Sequence, residues 1–311
     1  MIITSKDNLT INNQYKIIDN EEKGSGGFSL VYLAEKISDK KQYAIKVLKE
    51  SSPNFEKEIS IHQKVSSLNH PNIVNLVDSG EDFFKNEKKQ YAVLEFASNG
   101  ELFDFIKKTE HGLKERYAKF IFRKILQGVQ AFHKIGICHR DLKLQNILLD
   151  DIFNPKICDF GFATEIKGED GSGKLYKALG TENYAAPEML LMRAYNGIQV
   201  DIFSLGVILL NLVSGKIGFL TASFKDPYYR YIMTHHYNLY WDAVRSQIGE
   251  LSDELKALYL KMVSFCPEKR PSIDKILKDP WMKEINDLNE IEYKNLEKEV
   301  YQEFLKIMNK T

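Results

Sequence analysis

Cysteine is scarce in this sequence: 311 residues contain three, Cys138, Cys158 and Cys266. They are odd in number and widely spaced, so they do not form a disulfide framework, and no C-x-x-C pair points to a zinc site. That usage fits a reduced, intracellular compartment, with the cytoplasm as the expected location. An excess of one charge is missing too. Lysine plus arginine number 43 and aspartate plus glutamate 43, so the formal net charge is zero. At whole-chain level this leaves no basic footprint for nucleic acid or for a membrane surface. The densest basic run, Lys85 to Lys89, reads as a solvated loop between two strands. Long hydrophobic runs are absent. The longest, Ile202 to Val213, is interrupted by Ser204 and Asn211, is too short to span a bilayer and reads as a buried helix. Residues Met1 to Asp7 carry no apolar signal core, and Ile2 stands where myristoylation needs a glycine. No internal repeat and no EF-hand calcium loop is present. The remaining composition is that of an ordinary globular protein, which excludes disordered and collagen-like chains.

The hydrophobic pattern changes character once along the chain. From Tyr15 to about Phe96 it is mostly strand-like, with β-favouring runs at Tyr15 to Ile18, Ser29 to Ala34, Gln42 to Leu48, Asn75 to Asp78 and Gln90 to Phe96. Ser38 to Lys41 suits a hairpin turn. Phe55 to Leu68 interrupts the strands with helical spacing, placing Phe55, Ile59, His62 and Val65 on one side. From Glu101 onward helices dominate, over Glu101–Lys108, Lys114–Ile135, Val200–Ser214, Tyr228–Ile248 and Asp253–Val263. Ser98, Asn99 and Gly100 form a natural hinge between the halves. Gly168 to Gly173 is a surface loop by composition. Residues 286–309 carry Leu288, Ile291, Leu296, Val300 and Phe304 at helical spacing.

Five sequence pieces carry chemistry. Gly24, Ser25, Gly26, Gly27, Phe28 and Ser29 lie between two predicted strands, where glycines let backbone N–H groups approach a phosphate. One strand later comes Lys46, a half-buried cation that needs a carboxylate; Glu58 on the next helix is the candidate. The third piece is His139-Arg140-Asp141-Leu142-Lys143-Leu144-Gln145-Asn146. Here Asp141 can accept a hydroxyl proton, Lys143 can neutralise a transferring phosphoryl group, and Asn146 offers a neutral oxygen to a hard cation. Asp159-Phe160-Gly161 adds a second oxygen donor for Mg²⁺. Ala186-Pro187-Glu188 closes the set, with Arg270 far downstream as the buried partner expected for Glu188.

In this order and at these spacings the five pieces resemble the signature set of eukaryotic protein serine/threonine kinases, from about Tyr15 to Met282. The resemblance implies an α+β, two-lobed protein-kinase fold: a small β-rich N-lobe with one main helix (15–97) and a larger, mostly helical C-lobe (98–282). A helical extension (283–311) would follow. It also implies a signalling transferase that binds ATP and Mg²⁺ and acts on protein substrates, under an upstream kinase or activator. The Gly24–Ser29 loop would cover the phosphates, and Lys46, positioned by Glu58, would pair with them. Asp141 would be the catalytic base, and Asn146 and Asp159 would hold Mg²⁺. Val31, Ala44 and Leu148 would enclose the adenine, with Leu94 as gatekeeper and Glu95 and Ala97 bonding its edge. Lys143 together with Thr181 favours serine and threonine over tyrosine. Gly100 to Ile106 and Pro280-Trp281 are similar to the calcium/calmodulin-dependent group in its broad sense. Glu58 to His62 and His139 to Leu144 look like polo-like kinases.

The sequence departs from the family pattern at a few positions. Ser29 replaces a glycine, and Lys23 stands where an apolar residue usually roofs the adenine, although its aliphatic stem can cover a ring. Glu101 and Gln145 occupy positions that meet ribose or a substrate arginine in relatives, so a preference for a basic residue upstream of the target is expected. Lys177 aligns with the usual activating phosphorylation site. Beside Arg140 it should repel, which leaves Ser172, Tyr176 or a phosphate-independent loop. Cys158 reads as a small spacer, and His133 and His139 as structural. The tail from Lys283 has seven acidic and five basic residues, so calmodulin binding is not indicated. Oligomeric state is not encoded in any pattern here.

Overall fold

The computed structural model describes residues 9–25 and 29–310, without the side chains of residues 19–25. The expected positions Gly26, Gly27 and Phe28 lie outside the described residues, as do the side chains of Lys23 and Ser25. The chain divides between Ser98 and Asn99 into two units.

The first unit is built on one antiparallel sheet. Its strands are β1 (Thr10–Ile11), β2 (Tyr15–Ser25), β3 (Ser29–Lys36), β4 (Gln42–Leu48), β5 (Leu76–Phe84) and β6 (Glu87–Glu95), in the order β1-β2-β3-β4-β6-β5. Helix α1 (Phe55–Ser66) connects β4 to β5. Alternation along the strands sends Tyr32, Ala34, Ile45, Val47, Tyr91 and Val93 to one face, where they join Tyr15 and Phe84 in a buried core. The run Lys85 to Lys89, expected as a loop, is shorter than that. Lys85 and Asn86 alone turn the chain, both at positive φ (50° and 68°), and Glu87 already belongs to β6. A two-residue turn of this hand matches the twist of its strands, so the pairing can run to the turn.

The second unit is helical around α5 (Gly197–Ser214), which packs on α3 (Glu115–Lys134) and α8 (Asp253–Met262). Helix α5 starts three residues earlier than the sequence suggested because Asn196 caps it, its Oδ1 accepting from the N–H groups of Ile198 (2.9 Å) and Gln199 (3.3 Å). That makes it long and apolar enough to cross a membrane by composition, yet 89% of it is buried within the unit. It is the hydrophobic centre on which the unit is assembled. Two further short helices stand at the start of this unit and after the catalytic motifs, α2 (Leu102–Lys107) and α4 (Pro187–Leu190). The single helix expected over Tyr228–Ile248 is two, α6 (Pro227–Met233) and α7 (Tyr237–Ile248). The break has a local cause. Thr234 turns its hydroxyl back onto the carbonyl of Arg230 (2.8 Å), and His235 takes a left-handed conformation (φ 59°).

Four short strands escaped the sequence reading: β7 (Ile137–Cys138), β8 (Ile147–Leu149), β9 (Pro155–Ile157) and β10 (Thr164–Glu165), paired β8 with β9 and β10 with β7. Two or three residues are too few for a period to show. After α9 (Ile273–Leu277) the tail is also broken, into α10 (Lys283–Asn286) and α11 (Glu290–Met308). Asn289 and Glu292 form a capping box at the start of α11.

The expected Glu188–Arg270 pair is present and buried. Arg270 Nη1 and Nη2 donate to the two carboxylate oxygens at 2.6 and 2.8 Å, and Nε and Nη1 also donate to the carbonyls of Ser264 and Gln199. Arg270 is 4% exposed. Arg270→Ala is expected to lower unfolding stability by about 3–5 kcal/mol, because it strands a buried carboxylate. The double variant Arg270→Met with Glu188→Leu should lose less than Arg270→Ala. Urea denaturation of the three proteins checks both expectations.

Candidate active site

In the first unit, register decides which side chains share a surface. Val31 pairs with Lys46 and Lys46 with Ala92, while Leu33 pairs with Ala44 and Ala44 with Leu94. Val31, Ala44, Lys46 and Leu94 therefore lie on one face of the three central strands, opposite the core face. Helix α1 lies on this same face, where Lys46 Nζ donates to Glu58 Oε1 at 2.7 Å, both side chains about one-fifth exposed (20% and 18%). At the end of β6, Glu95 Oε2 accepts from the N–H of Asn75 (3.2 Å), and Ala97 is buried. Ser29 is buried at the start of β3, where Gly24 and Ser25 pair with Val31 and Leu30. His62 is buried and bonds the Val74 carbonyl through Nε2 (2.8 Å), a structural tie between α1 and the segment that leads into β5.

In the second unit, four donors converge on Asp141, which is 4% exposed. Oδ1 accepts from the N–H and the hydroxyl of Thr181, each at 2.8 Å. Oδ2 accepts from Lys143 Nζ at 2.8 Å and Asn146 Nδ2 at 3.1 Å. Lys143 Nζ also donates to Thr181 Oγ1 at 2.7 Å. The three side chains that the sequence set around Asp141 are thus brought together by the fold. Gly180 makes the approach of Thr181 possible. It sits at φ 95°, and a Cβ there would lie 2.6 Å from the Arg140 carbonyl oxygen.

Asn146 and Asp159 stand at the same end of the β8–β9 hairpin, since the N–H of Cys158 donates to the Asn146 carbonyl (3.0 Å). Asn146 spends its amide nitrogen on Asp141, through Oδ2 and the main-chain carbonyl (2.8 Å), which turns its oxygen into the ligand-type atom. Asp159 is held at φ 62°, a strained value for a non-glycine residue. One carboxylate and one amide oxygen suit a hard cation that keeps waters and substrate oxygens as its other ligands, which is the habit of Mg²⁺. Glu101 stands at the N-cap position of α2, without a side-chain capping bond, and is bridged to Leu148 across a backbone pair. Burial raises its carboxyl pKa, Asp104 adds to this, and Lys143 opposes it.

The sequence reading missed Asp201. This residue is wholly buried in the second turn of α5. Its Oδ2 accepts from the N–H of His139 (2.9 Å) and from His133 Nε2 (2.8 Å), and its Oδ1 from the N–H of Arg140 (2.8 Å). A lone carboxylate opening the longest apolar stretch was the available signal, because such a charge must have donors waiting. His139 is buried, with Nδ1 facing the N–H of Asp141 (3.3 Å) and Nε2 facing the Cys158 carbonyl (3.0 Å), so the Nε2–H tautomer satisfies both. Both histidines are structural, as expected.

Repulsion between Arg140 and Lys177 does not occur. The Arg140 guanidinium is turned inward and donates to the Phe162 carbonyl (2.8 Å) and to the Tyr195 hydroxyl (3.1 Å). That hydroxyl in turn donates to the main-chain carbonyl of Lys177 (2.7 Å). The Lys177 side chain points to solvent and meets Glu169 only at 3.8 Å. What Arg140 is tied to, through Tyr195, is a carbonyl dipole and not an ammonium. Nothing in the sequence around Tyr195 announced this role. Of the alternative modification positions, Ser172 bonds Asp170 through its hydroxyl (2.7 Å), and Tyr176 is exposed.

Comparison with known proteins agrees with this geometry. Residues 17–282 match the protein kinase domain. The chain is 34% identical over 276 residues to CBL-interacting protein kinase 26 of Oryza sativa subsp. japonica, covering 88% of this chain and 53% of the relative. It is 35% identical over 272 residues to "Probable serine/threonine-protein kinase CCRP1" of Zea mays (85% and 41%). It is 34% identical over 264 residues to CBL-interacting serine/threonine-protein kinase 26 of Arabidopsis thaliana (84% and 57%). The chain thus spans about half the length of the curated relatives it matches. With the family match covering most of its residues and both signature constellations formed, the chain belongs to the protein kinase domain family.

Proposed function

We propose that this chain is a protein serine/threonine kinase that transfers the γ-phosphate of Mg-ATP to hydroxyls of protein substrates. The observation that carries the reading is the convergence of Lys143, Asn146 and Thr181 on the buried Asp141. Phosphoryl transfer asks little covalent chemistry of a protein and much positioning and charge neutralisation. In this reading Asp141 orients the attacking hydroxyl and takes its proton. Its carboxylate is saturated with donors, so one must leave to admit the substrate. Lys143, on a long side chain already shared between Asp141 and Thr181, is the donor suited to move onto the phosphoryl oxygens. Thr181 then stays to hold Asp141 Oδ1.

Lys46, kept in place by Glu58, pairs with the α- and β-phosphates. Val31 and Ala44, on the same face of the sheet as Lys46, would border the adenine. Leu94, Glu95 and Ala97 read its edge. Asn146 and Asp159 would hold Mg²⁺, which when bound would neutralise charge on the phosphate oxygens. The proposed compartment is the cytoplasm, consistent with three free cysteines.

Two finer proposals concern substrate choice and activation. A basic residue upstream of the target would give the half-buried Glu101 a cationic partner. It would also supply a donor to Gln145 Oε1, a buried acceptor that meets none among the described residues. For activation, the Arg140–Tyr195–Lys177 chain supports a loop that orders without a phosphate, or with an activator that acts elsewhere.

Three expected outcomes test these proposals. Bacterially made chain should phosphorylate a basic serine peptide with Mg-ATP. Asp141→Ala should lose at least about 10³-fold in kcat while Mg-ATP binding persists, and Lys46→Met should weaken both. Wild-type chain that binds no Mg-ATP and transfers no phosphate would end the kinase reading. Peptides with and without an upstream arginine should differ in kcat/KM, and Glu101→Gln should narrow the difference roughly 5- to 10-fold; equal use of both peptides by wild type removes the specificity proposal. Finally, chain shown by mass spectrometry to carry no phosphate in residues 164–184 should be active, and Tyr195→Phe should lower kcat about 10-fold in that material. Activity that appears only with a modified Ser172 or Tyr176 would refute the phosphate-independent reading.

A further inference from the structure

The family match ends at residue 282, yet the unit does not end there. Helix α11 buries Leu296, Val300, Phe304 and Ile307. Phe304, with no exposed surface, lies against two rings that belong to the candidate site's supports. One is Phe105 in α2, 5.4 Å away between centroids and tilted by 64°. The other is Phe153 in the β8–β9 turn, 5.4 Å away and stacked at 15°. Phe105 and Phe153 meet each other at 5.6 Å, and Tyr301 covers Phe153 at 5.3 Å. Lys108, just after α2, reaches the Met308 carbonyl (3.4 Å) at the far end of α11.

The turn that α11 covers is not relaxed. Phe153 has φ 58°, a left-handed value that a bulky side chain adopts only when its surroundings hold it there. The same turn is hooked to the start of α2, because Asn99 Nδ2 donates to the Asp150 carbonyl (2.6 Å) and the N–H of Leu149 to that of Gly100 (2.8 Å). Glu101 follows directly, and the other end of the hairpin carries Asn146 and Asp159. A second set of contacts seats the tail along α3. Lys119 and Lys124 pair with Glu284 (2.8 Å) and Glu297 (3.0 Å), and Phe120 meets Tyr293 at 5.1 Å. These pairs join mostly buried lysines to exposed glutamates and contribute modestly each, while the aromatic contacts add apolar burial to the seating.

We infer that α11 is a strap that sets the position of α2 and of the β8–β9 turn, and that Phe304 is a positioning residue for the nucleotide and substrate site, an inference that rests on the kinase reading above. It acts through Phe105 on Glu101 and through Phe153 on the hairpin of Asn146 and Asp159.

The test uses the full chain with Phe304→Ala, Phe304→Leu, and Ile291→Ala on the exposed face of α11 as control. Backbone hydrogen exchange and steady-state kinetics are both read. In Phe304→Ala, amides of residues 102–107 and 150–154 should exchange about 10-fold faster or more, with α5 unchanged. KM for ATP or peptide should rise roughly 3- to 10-fold while kcat stays within about 2-fold. Phe304→Leu should restore most of both, and Ile291→Ala should resemble wild type. Tyr301→Ala, a milder loss on the same turn, carries the comparison if Phe304→Ala does not fold. Uniformly faster exchange across the second unit, unchanged KM, or a fall in KM that marks α11 as inhibitory would each overturn the strap. If wild type transfers no phosphate, the kinase reading fails, whereas exchange in α2 and the turn still decides whether the strap exists.

Discussion

A buried carboxylate must be surrounded by donors, and the second unit is organised around one. Asp201 has no exposed surface, and it takes the main-chain N–H groups of His139 and Arg140 together with the ring of His133. Binding two consecutive peptides fixes the direction of the chain at that point and holds Arg140 at φ 66°, outside the range that a non-glycine residue prefers. The next residue is Asp141, so its carboxylate is aimed by this strained turn. Gly197 brings α5 close enough for the arrangement, since a Cβ there would fall 2.3 Å from Cys138 Sγ. Burial cost, backbone strain and close approach are tolerable together because each is over-determined by hydrogen bonds from a different element.

From that anchor the remaining contacts extend outward. Asp141 draws in the N–H of Thr181, and Arg140 passes through Tyr195 to the carbonyl of Lys177, so the segment 177–181 is tied at both ends to the loop that Asp201 holds. The first unit solves a simpler problem. Period-two alternation gives its sheet one sealed face, leaving Val31, Ala44, Lys46 and Leu94 on the other with α1 supplying Glu58. The tail adds a third layer of contacts, an aromatic cluster about Phe304.

What could be read in advance followed a pattern. Lys46 and Glu58, Glu188 and Arg270, and the group Asp141, Lys143 and Asn146 were named from residue type and spacing, Thr181 was added by the family resemblance, and each set is joined in the structure. Long helices were legible from their apolar spacing, with ends displaced where a cap intervened, as at Asn196. The break at Thr234 and His235 and the strands of two or three residues were not legible. Their causes are a single side-chain hydrogen bond and pairing with distant partners, and neither leaves a period.

The sequence by itself determined the kind of chemistry and the two classes of unit, because motif residues act through short local spacings and the sheet and helix periods are local as well. Tertiary structure alone decided where Arg140 points, that Lys177 offers its carbonyl and not its charge, that Asp201 holds the loop, and that Phe304 reaches α2 and the β8–β9 turn. These depend on residues tens to hundreds of positions apart meeting within a few ångströms. Only close packing sets such meetings, and no local pattern in a chain records them.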